Sequence, residues 1–453
     1  MALTTFDNHI KQVAALIGSD KKAFIRTFGC QQNVADSERL AGIAVMLGYT
    51  MTDIAEDADL ILMNTCAVRE HAELRALSIA GSYKILKEER PGLLIGIFGC
   101  MMVQQHRVED VKNRHPYVDF TFGTGMLHRL PEIIFNRLST KKRQFVTGIG
   151  EDSSDSELPT LRENSKQAWV NVMHGCNNFC TFCIVPYVRG RERSRTKDSI
   201  LTEVRDLVVQ GYREITLLGQ NVNSYKCGTT DFADLLEAVC AIEGDFVVRF
   251  MTSNPRDATT KLFDIMANSP RAAKALHLPL QAGSDSVLAA MNRKHTREEF
   301  LALVEYARRV MPEIVLTTDI IVGFPGETEG DFEQTLDMLR RVQFDSLFSF
   351  IYSKRKGTPA AAMDNQISRE VKSARFSRLL DTQKEISTEI NRKYIGQVVR
   401  ALVEGQDKRG KMSARMDNGR IVHFNGSTGL VGQTVSIKIQ RSGVYSLSGE
   451  LQI

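Results

Sequence analysis

The sequence predicts an α/β protein in three parts: an N-terminal parallel-sheet α/β domain, a partial (β/α)6 barrel and a small C-terminal β-barrel. Three observations predict it. Short apolar runs alternate with helical patterns over 21–138 and again over 162–392, and such alternation builds parallel sheets covered by helices. The second series holds six strand–helix units, too few for a closed eight-unit barrel of about 250 residues, so an open barrel is expected. Residues 393–453 change to short β-rich runs between Gly and Asn turns, the pattern of a small barrel that binds oligonucleotides.

In the first part, Ala23-Phe24-Ile25, Leu60-Ile61-Leu62-Met63 and Leu93-Leu94-Ile95-Gly96-Ile97-Phe98 read as buried parallel strands, with helices over 36–48 and 70–90. Residues 151–163, EDSSDSELPTLRE, are acidic, Ser-rich and interrupted by Pro, and read as a linker. Strands are then expected at 168–174, 214–220, 246–252, 275–281, 314–322 and 346–353. Helices are expected at 198–210, 231–242, 285–291, 297–310 and 329–342, with a closing helix at 369–392. YIGQVVRALVEG, GRIVHFNG and QTVSIKIQ supply strands of the last part.

The chain has 453 residues, 43% hydrophobic and 25% charged, ordinary values for a globular protein with several cores. No apolar run reaches the 18 residues that a membrane span needs. The first residues lack the basic start, long apolar middle and small-residue site of a secretion signal, so a cytoplasmic protein is expected. The net charge of +4 is too small to argue for nucleic acid. Its distribution says more: residues 393–453 hold nine Lys/Arg against four Asp/Glu, a net of +5 that leaves about −1 elsewhere. That excess is either a polyanion-binding footprint or a solvated surface.

Of eight cysteines, three form C-x3-C-x2-C in HGCNNFCTFC, at Cys176, Cys180 and Cys183, just after an expected strand. Three thiolates on one tight loop can hold three irons of a 4Fe-4S cube and leave the fourth free to chelate S-adenosylmethionine. Structural zinc competes with this reading but wants four ligands, and only His174 lies near, on the strand side. Cys30, Cys66 and Cys100 end FIRTFGC, LILMNTC and LLIGIFGC, 36 and 34 residues apart, about one βα unit each. Each therefore follows the carboxyl end of a strand, where α/β sheets gather their ligand-binding residues. They could hold a second 4Fe-4S cluster; three small buried core residues are the alternative. Cys240 falls on an apolar helical pattern and Cys227 in a loop, and neither is assigned a role.

HGCNNFCTFCIVPYVRGRERSR (174–195) resembles the cluster loop of the radical S-adenosylmethionine methylthiotransferase family, and TFGCQQNVADSE (27–38), NTC (64–66) and FGC (98–100) resemble its N-terminal domain. The resemblance spans roughly 21–453. It implies a methylthiotransferase domain with the auxiliary cluster at 21–138, a radical core at 162–392 and a TRAM RNA-binding domain at 393–453. LLGQNVNSY (217–225), GRERSR (190–195) and RFMTSNPRD (249–257) are similar to the MiaB-type branch. This implies methylthiolation of C2 of N6-isopentenyladenosine at position 37, in the anticodon loop of tRNA, with S-adenosylmethionine as both methyl donor and radical source. Other branches act on threonylcarbamoyl-adenosine in tRNA or on a ribosomal protein. An alternative of another class is a non-catalytic iron–sulfur RNA-binding protein. The implied partners are tRNA and an electron donor such as a flavodoxin or ferredoxin, with no membrane, and a monomer is expected. The sequence departs from the family at Gln32, where many relatives have Met, and in SKRKGTP (353–359), where relatives often carry Pro.

Barrel sites lie at the carboxyl ends of strands, which makes Gln220, Asn221, Arg249, Ser253, Gln281 and Ser284 candidate S-adenosylmethionine ligands. Gly219-Gln220-Asn221 stands where many radical enzymes have a Gly-Gly-Glu-like turn, so the carboxylate partner of the methionyl amine is absent. Arg189, Arg191, Arg193 and Arg195 form a basic run expected to contact tRNA phosphates, with an ion-paired loop around Glu192 as the alternative.

Overall fold

The computed structural model describes residues 2–68, 70–150, 158–162 and 166–452. It divides into two compact units: 1–165, 169–177 and 183–195 in the first, 166–168, 178–182 and 196–453 in the second.

The first unit runs α1 (Ala2–Ile17), β1 (Lys21–Thr27), α2 (Gln31–Met46), β2 (Tyr49–Met51), β3 (Leu60–Thr65), α3 (Glu70–Glu89), β4 (Leu94–Gly99), α4 (Gln105–Arg114), β5 (Phe120–Phe122), α5 (Leu130–Thr140) and β6 (Gln144–Phe145). Its six strands form one sheet in the order β2-β1-β3-β4-β5-β6, parallel throughout. Successive strand residues point to opposite faces. Leu60, Leu62, Leu94 and Phe98 accordingly pack with Ile10, Leu40 and Ile133 on one face. Ile61, Met63, Ile95 and Ile97 pack with Ala76, Tyr83 and Val111 on the other. Both faces are covered, which explains why these strands read as continuous apolar runs.

The strand order reverses at β1/β3, and ligands of doubly wound sheets bind outside the carboxyl ends at such a point. Register brings those ends level: Thr27 pairs with Asn64, Asn64 with Phe98 and Thr65 with Gly99. Cys66 and Cys100 thus each follow a residue of the same rung. The linker expected at 151–163 falls partly outside the described residues. Its described end is anchored, with Leu158 packed against the core and the Leu161 amide donating to the Glu38 carbonyl at 2.9 Å.

Next come β7 (Gln167–Asn171), β8 (Met173–His174), α6 (Val185–Arg189) and β9 (Arg193–Ser194), with β8 and β9 antiparallel.

The second unit contains α7 (Lys197–Val209), β10 (Glu214–Leu218), a small hairpin β11 (Lys226–Cys227) and β12 (Thr230–Asp231), α8 (Phe232–Cys240), β13 (Val247–Phe250), α9 (Thr260–Asn268), β14 (Ala275–His277), α10 (Asp285–Ala290), α11 (Arg297–Val310), β15 (Val315–Val322), α12 (Glu329–Val342), β16 (Ser346–Ile351) and α13 (Arg369–Arg392). The strands lie in the orders β13-β10-β7 and β14-β15-β16. A parallel bridge between Val248 and Ala272 continues the series, giving the six strands of the expected partial barrel. Helix starts follow their sequence signals: Asp231, Thr296 and Thr328 each close a capping box with the acidic residue three positions on.

The chain ends in β17 (Val398–Gln406), β18 (Met412–Met416), β19 (Ile421–Phe424), β20 (Thr434–Ser442) and β21 (Leu447–Leu451), closed as β17-β18-β19-β21-β20. Val403, Met412, Val422, Phe424 and Ile437 fill its interior. It is fixed to the rest of the second unit. Asn391 Nδ2 donates to the Gly443 and Val444 carbonyls at 2.8 and 3.0 Å, Gln167 Nε2 to Glu404 at 2.9 Å, and Arg420 pairs with Asp345.

Candidate functional site

Cys30 is the N-cap of α2, and its carbonyl accepts from the Asn33 and Val34 amides. A thiolate there faces the positive end of a helix. Cys66 follows β3, and Cys100 opens a short 3-10 turn after β4. The preceding glycines allow this convergence. Gly29 has φ +129°, and a Cβ on it would lie 2.8 Å from the Cys66 Cβ; Gly99 has φ +103°, and a Cβ on it would meet the Thr65 carbonyl oxygen at 2.5 Å. A buried amide network locks the loops. Asn33 Nδ2 donates to Asn64 Oδ1 at 2.7 Å and to the Thr65 carbonyl at 3.2 Å. Asn64 Nδ2 donates to the Asn33 carbonyl and to Ser37 Oγ.

The three thiols sense one another. Burial pushes the Cys66 thiol up to about 12, with Cys100 and Cys30 pushing the same way. Burial also raises Cys100, against the pull of Arg189. A raised thiol such as Cys66 or Cys100 gives up its proton when a strong cation draws it off, as a bound metal does. Among the described residues, no three His, Cys, Asp or Glu side chains converge on a single ion position. A cube asks for separated thiols, one per iron, whereas zinc asks for ligands around one point.

Arg189 is 6% exposed, at the end of the helix that follows Cys183. Its Nε donates to Cys100 Sγ at 3.2 Å, and its Nη1 pairs with Asp36 Oδ2 at 2.8 Å. Ile184 and Val188 pack on Cys100 from the same segment, and the Val188 carbonyl accepts from Thr124 Oγ1 at 2.6 Å. Burial would lower the Arg189 guanidinium, but Cys100, Asp36 and Cys30 more than offset this and hold it charged. The expected phosphate contact is thus corrected for Arg189. Arg195 is buried as well and donates to the Asn171 carbonyl at 2.7 Å, and Arg193 donates to the Gly150 carbonyl at 2.8 Å. Arg191 is exposed. The run is therefore mixed: Arg189 ends helix α6, Arg193 lies in β9 and Arg195 follows it.

The ends of the C-x3-C-x2-C loop are clipped together. The Cys176 amide donates to the Gly190 carbonyl at 3.1 Å, the Asn177 amide to Glu192 Oε1 at 3.0 Å, and β8 pairs with β9. Cys183 Sγ accepts from the Val185 amide at 3.4 Å. Cys176 and Cys183 belong to the first unit and Cys180 to the second. In the second unit, Arg293 Nη1 donates to Cys180 Sγ at 3.5 Å. Asn292 Nδ2 donates to the Phe179 carbonyl at 3.0 Å, and the Thr181 amide to the Met291 carbonyl at 3.0 Å. Sequence reasoning missed Arg293: a cation in a polar turn gives no local sign of a sulfur more than a hundred residues away.

The barrel-end candidates divide. Asn221 is buried; its Nδ2 donates to Asp257 at 2.8 Å, while its Oδ1 has no partner among the described residues. Gln281 is buried with φ +75°, and its Oε1 is likewise unpartnered. Two buried amide oxygens without donors suit an incoming ammonium group. Gln220 is half-buried. Ser253 donates to the His277 carbonyl. Ser284 is held by Asp331 and Ser286, and Arg249 pairs with Glu214 at 2.8 Å and donates to the Met416 carbonyl at 3.0 Å. Arg249 and Ser284 therefore hold the scaffold instead of reaching a ligand.

Comparison with known proteins agrees with this layout. Residues 170–339 match the radical SAM superfamily, 22–123 an uncharacterized protein family, UPF0004, and 392–451 the TRAM domain. The tRNA-2-methylthio-N(6)-dimethylallyladenosine synthase of Carboxydothermus hydrogenoformans is 48% identical over 438 residues, covering 96% of this chain and 100% of that protein. The chain belongs to the tRNA-2-methylthio-N(6)-dimethylallyladenosine synthase family. Members from Thermoanaerobacter sp. strain X514 and Clostridium novyi are 46% and 44% identical, over 94% and 98% of this chain and 92% and 98% of theirs. The fold is also that of the radical S-adenosylmethionine methyltransferase TsrM from Kitasatospora setae. The match has TM-score 0.57 at 12% identity and covers 76% of this chain and 74% of that one. Membership in this synthase family, through its radical SAM part, implies one 4Fe-4S cluster and S-adenosylmethionine.

Proposed function

We propose that this chain adds a methylthio group to C2 of N6-isopentenyladenosine at position 37 of tRNA, giving 2-methylthio-N6-isopentenyladenosine. The observation that carries it is near-full-length identity of 44–48% to synthases named for that product, in a chain that keeps both cysteine triplets. The product names disfavour threonylcarbamoyl-adenosine or a ribosomal protein as substrate.

Adenine C2 bears an aromatic C–H whose proton no side-chain base can remove near neutral pH. When bound at Cys176, Cys180 and Cys183, a reduced 4Fe-4S cluster supplies the electron that cleaves S-adenosylmethionine to a 5′-deoxyadenosyl radical. Asn221 Oδ1 and Gln281 Oε1 are the acceptors offered to its methionyl amine, replacing the missing carboxylate. Cys30, Cys66 and Cys100 would hold the auxiliary cluster, the sulfur side of the reaction. Arg191 and the basic TRAM domain would contact tRNA phosphates.

In this reading 21–138, 162–392 and 393–453 are the working domains, a flavodoxin or ferredoxin delivers electrons, and the enzyme is a cytoplasmic monomer. No helix among the described residues is long and apolar enough to cross a membrane. The test is an anaerobic assay on isopentenylated anticodon stem-loop RNA, read by nucleoside mass spectrometry. Formation of the methylthio nucleoside from S-adenosylmethionine supports the proposal, and an unchanged isopentenyladenosine peak defeats it.

A further inference from the structure

Arg189 has one nitrogen without a partner among the described residues. Its Nε is on Cys100 Sγ and its Nη1 on Asp36, while Nη2 is buried with no partner among the described residues. A buried guanidinium N–H is not left unmatched without a reason. Its carboxylate partner is itself fixed, because Gln32 Nε2 donates to Asp36 Oδ1 at 2.9 Å. Asp36 is itself buried, and the pair holds the guanidinium in one orientation against Cys100. Packing by Ile184 and Val188 excludes solvent there, so the charge is weakly screened. Gln32 thereby braces the acid that orients the arginine.

We propose that Arg189 is a positioning residue for the sulfur-donating half of the site. Its Nε stabilises the Cys100 thiolate, and its free Nη2 donates to anionic sulfur at the auxiliary cluster, either a cluster sulfide or an exogenous sulfide on the open iron. A cube held by three thiolates and loaded with sulfide carries surplus negative charge, and Arg189 is the buried cation in contact with a ligand sulfur. It makes reduction easier and sulfide binding tighter. This rests on the reading that Cys30, Cys66 and Cys100 hold a cluster.

The test uses the full-length, anaerobically reconstituted chain carrying Cys176→Ala, Cys180→Ala and Cys183→Ala, so that the remaining iron, about four per chain, reports on the auxiliary site alone. Into it go Arg189→Met and Arg189→Lys. An EPR-monitored titration should show the Met variant's reduced fraction falling about tenfold at fixed potential, equal to about 59 mV for one electron. The Lys variant should fall between Met and wild type. Inorganic sulfide, followed by the change in the same signal, should bind about tenfold more weakly to the Met variant, the scale of one charged hydrogen bond. Iron lost from Met but kept by Lys also supports the proposal. Wild-type potential and sulfide affinity in the Met variant overturn it, as does equal iron loss from both variants, which assigns Arg189 to packing. Absence of iron in the triple-cysteine parent overturns the two-cluster reading instead.

Discussion

The two cysteine triplets are built in opposite ways. Cys176, Cys180 and Cys183 come from one eight-residue stretch, and the spacing alone holds them near each other. Cys30, Cys66 and Cys100 come from three βα units and meet because parallel strands end level at a reversal of strand order. The local triplet is a loop closed by a strand pair at its base. The dispersed one is braced by a buried network of Asn33, Asn64, Thr65 and Ser37. Each also has an arginine on one sulfur, Arg293 on Cys180 and Arg189 on Cys100. A local motif needs little from the fold, whereas a dispersed one depends on sheet register and on glycines that let loops approach.

The largest test of this contrast separates the triplets by function. Cys176→Ala should reduce 5′-deoxyadenosine formation to below about 1% of wild type, because the cluster that would bind S-adenosylmethionine loses one of its three thiolates. Cys66→Ala should keep that formation within about twofold and make no methylthio nucleoside. Full methylthio turnover by Cys66→Ala would remove the distinction.

Gly29→Ala probes how far the dispersed site depends on backbone. With φ +129° and a Cβ 2.6 Å from Asn33 Oδ1, the substitution should cost about 1–3 kcal/mol. Auxiliary iron should be lost while iron at the local triplet is kept. Thermal melting and iron quantification read both effects, and an unchanged melt with full iron would show that the loops are slack.

His295 tests a buried imidazole two residues beyond Arg293. Burial, helped by the neighbouring Arg293, pulls its imidazole down to about 3. A lowered histidine favours the fold while neutral, so its contribution is complete above the unfolded value near 6.5 and fades as pH falls toward 3. The native protein should lose about 2 kcal/mol between pH 7 and pH 5 through this group. His295→Leu should flatten that part of the melting profile, and an unchanged slope would place the loss elsewhere.

The smallest expected effect lies in the second unit. A cleft of about 300 Å³ in the second unit is lined by Arg213, Arg249, Arg271, Arg400 and Arg415. Four of these are engaged by Asp245, Glu214, backbone carbonyls and Glu404, and Arg400 is exposed. Arg400→Ala should weaken tRNA binding a few-fold and lower the salt slope by about one. Binding with an unchanged salt slope would exclude this face from phosphate contact.

The chain's own order of residues already determined much. Apolar runs bounded by Gly and polar turns marked the strands, and acidic residues three positions after Asp231, Thr296 and Thr328 marked helix starts. The C-x3-C-x2-C spacing marked the radical loop. These are local signals, carried within one turn or one strand of the residue concerned. What only tertiary structure decided was direction and partnership. Arg189 and Arg195 look like surface charges in the sequence, yet packing turns both inward. Arg249 lies in β13 and Ser284 caps α10, yet Glu214 and Asp331 claim them. Arg293 gives no sign of its sulfur. Such pairings depend on residues tens to hundreds of positions apart, and no pattern along the chain encodes which side chains will share a buried space.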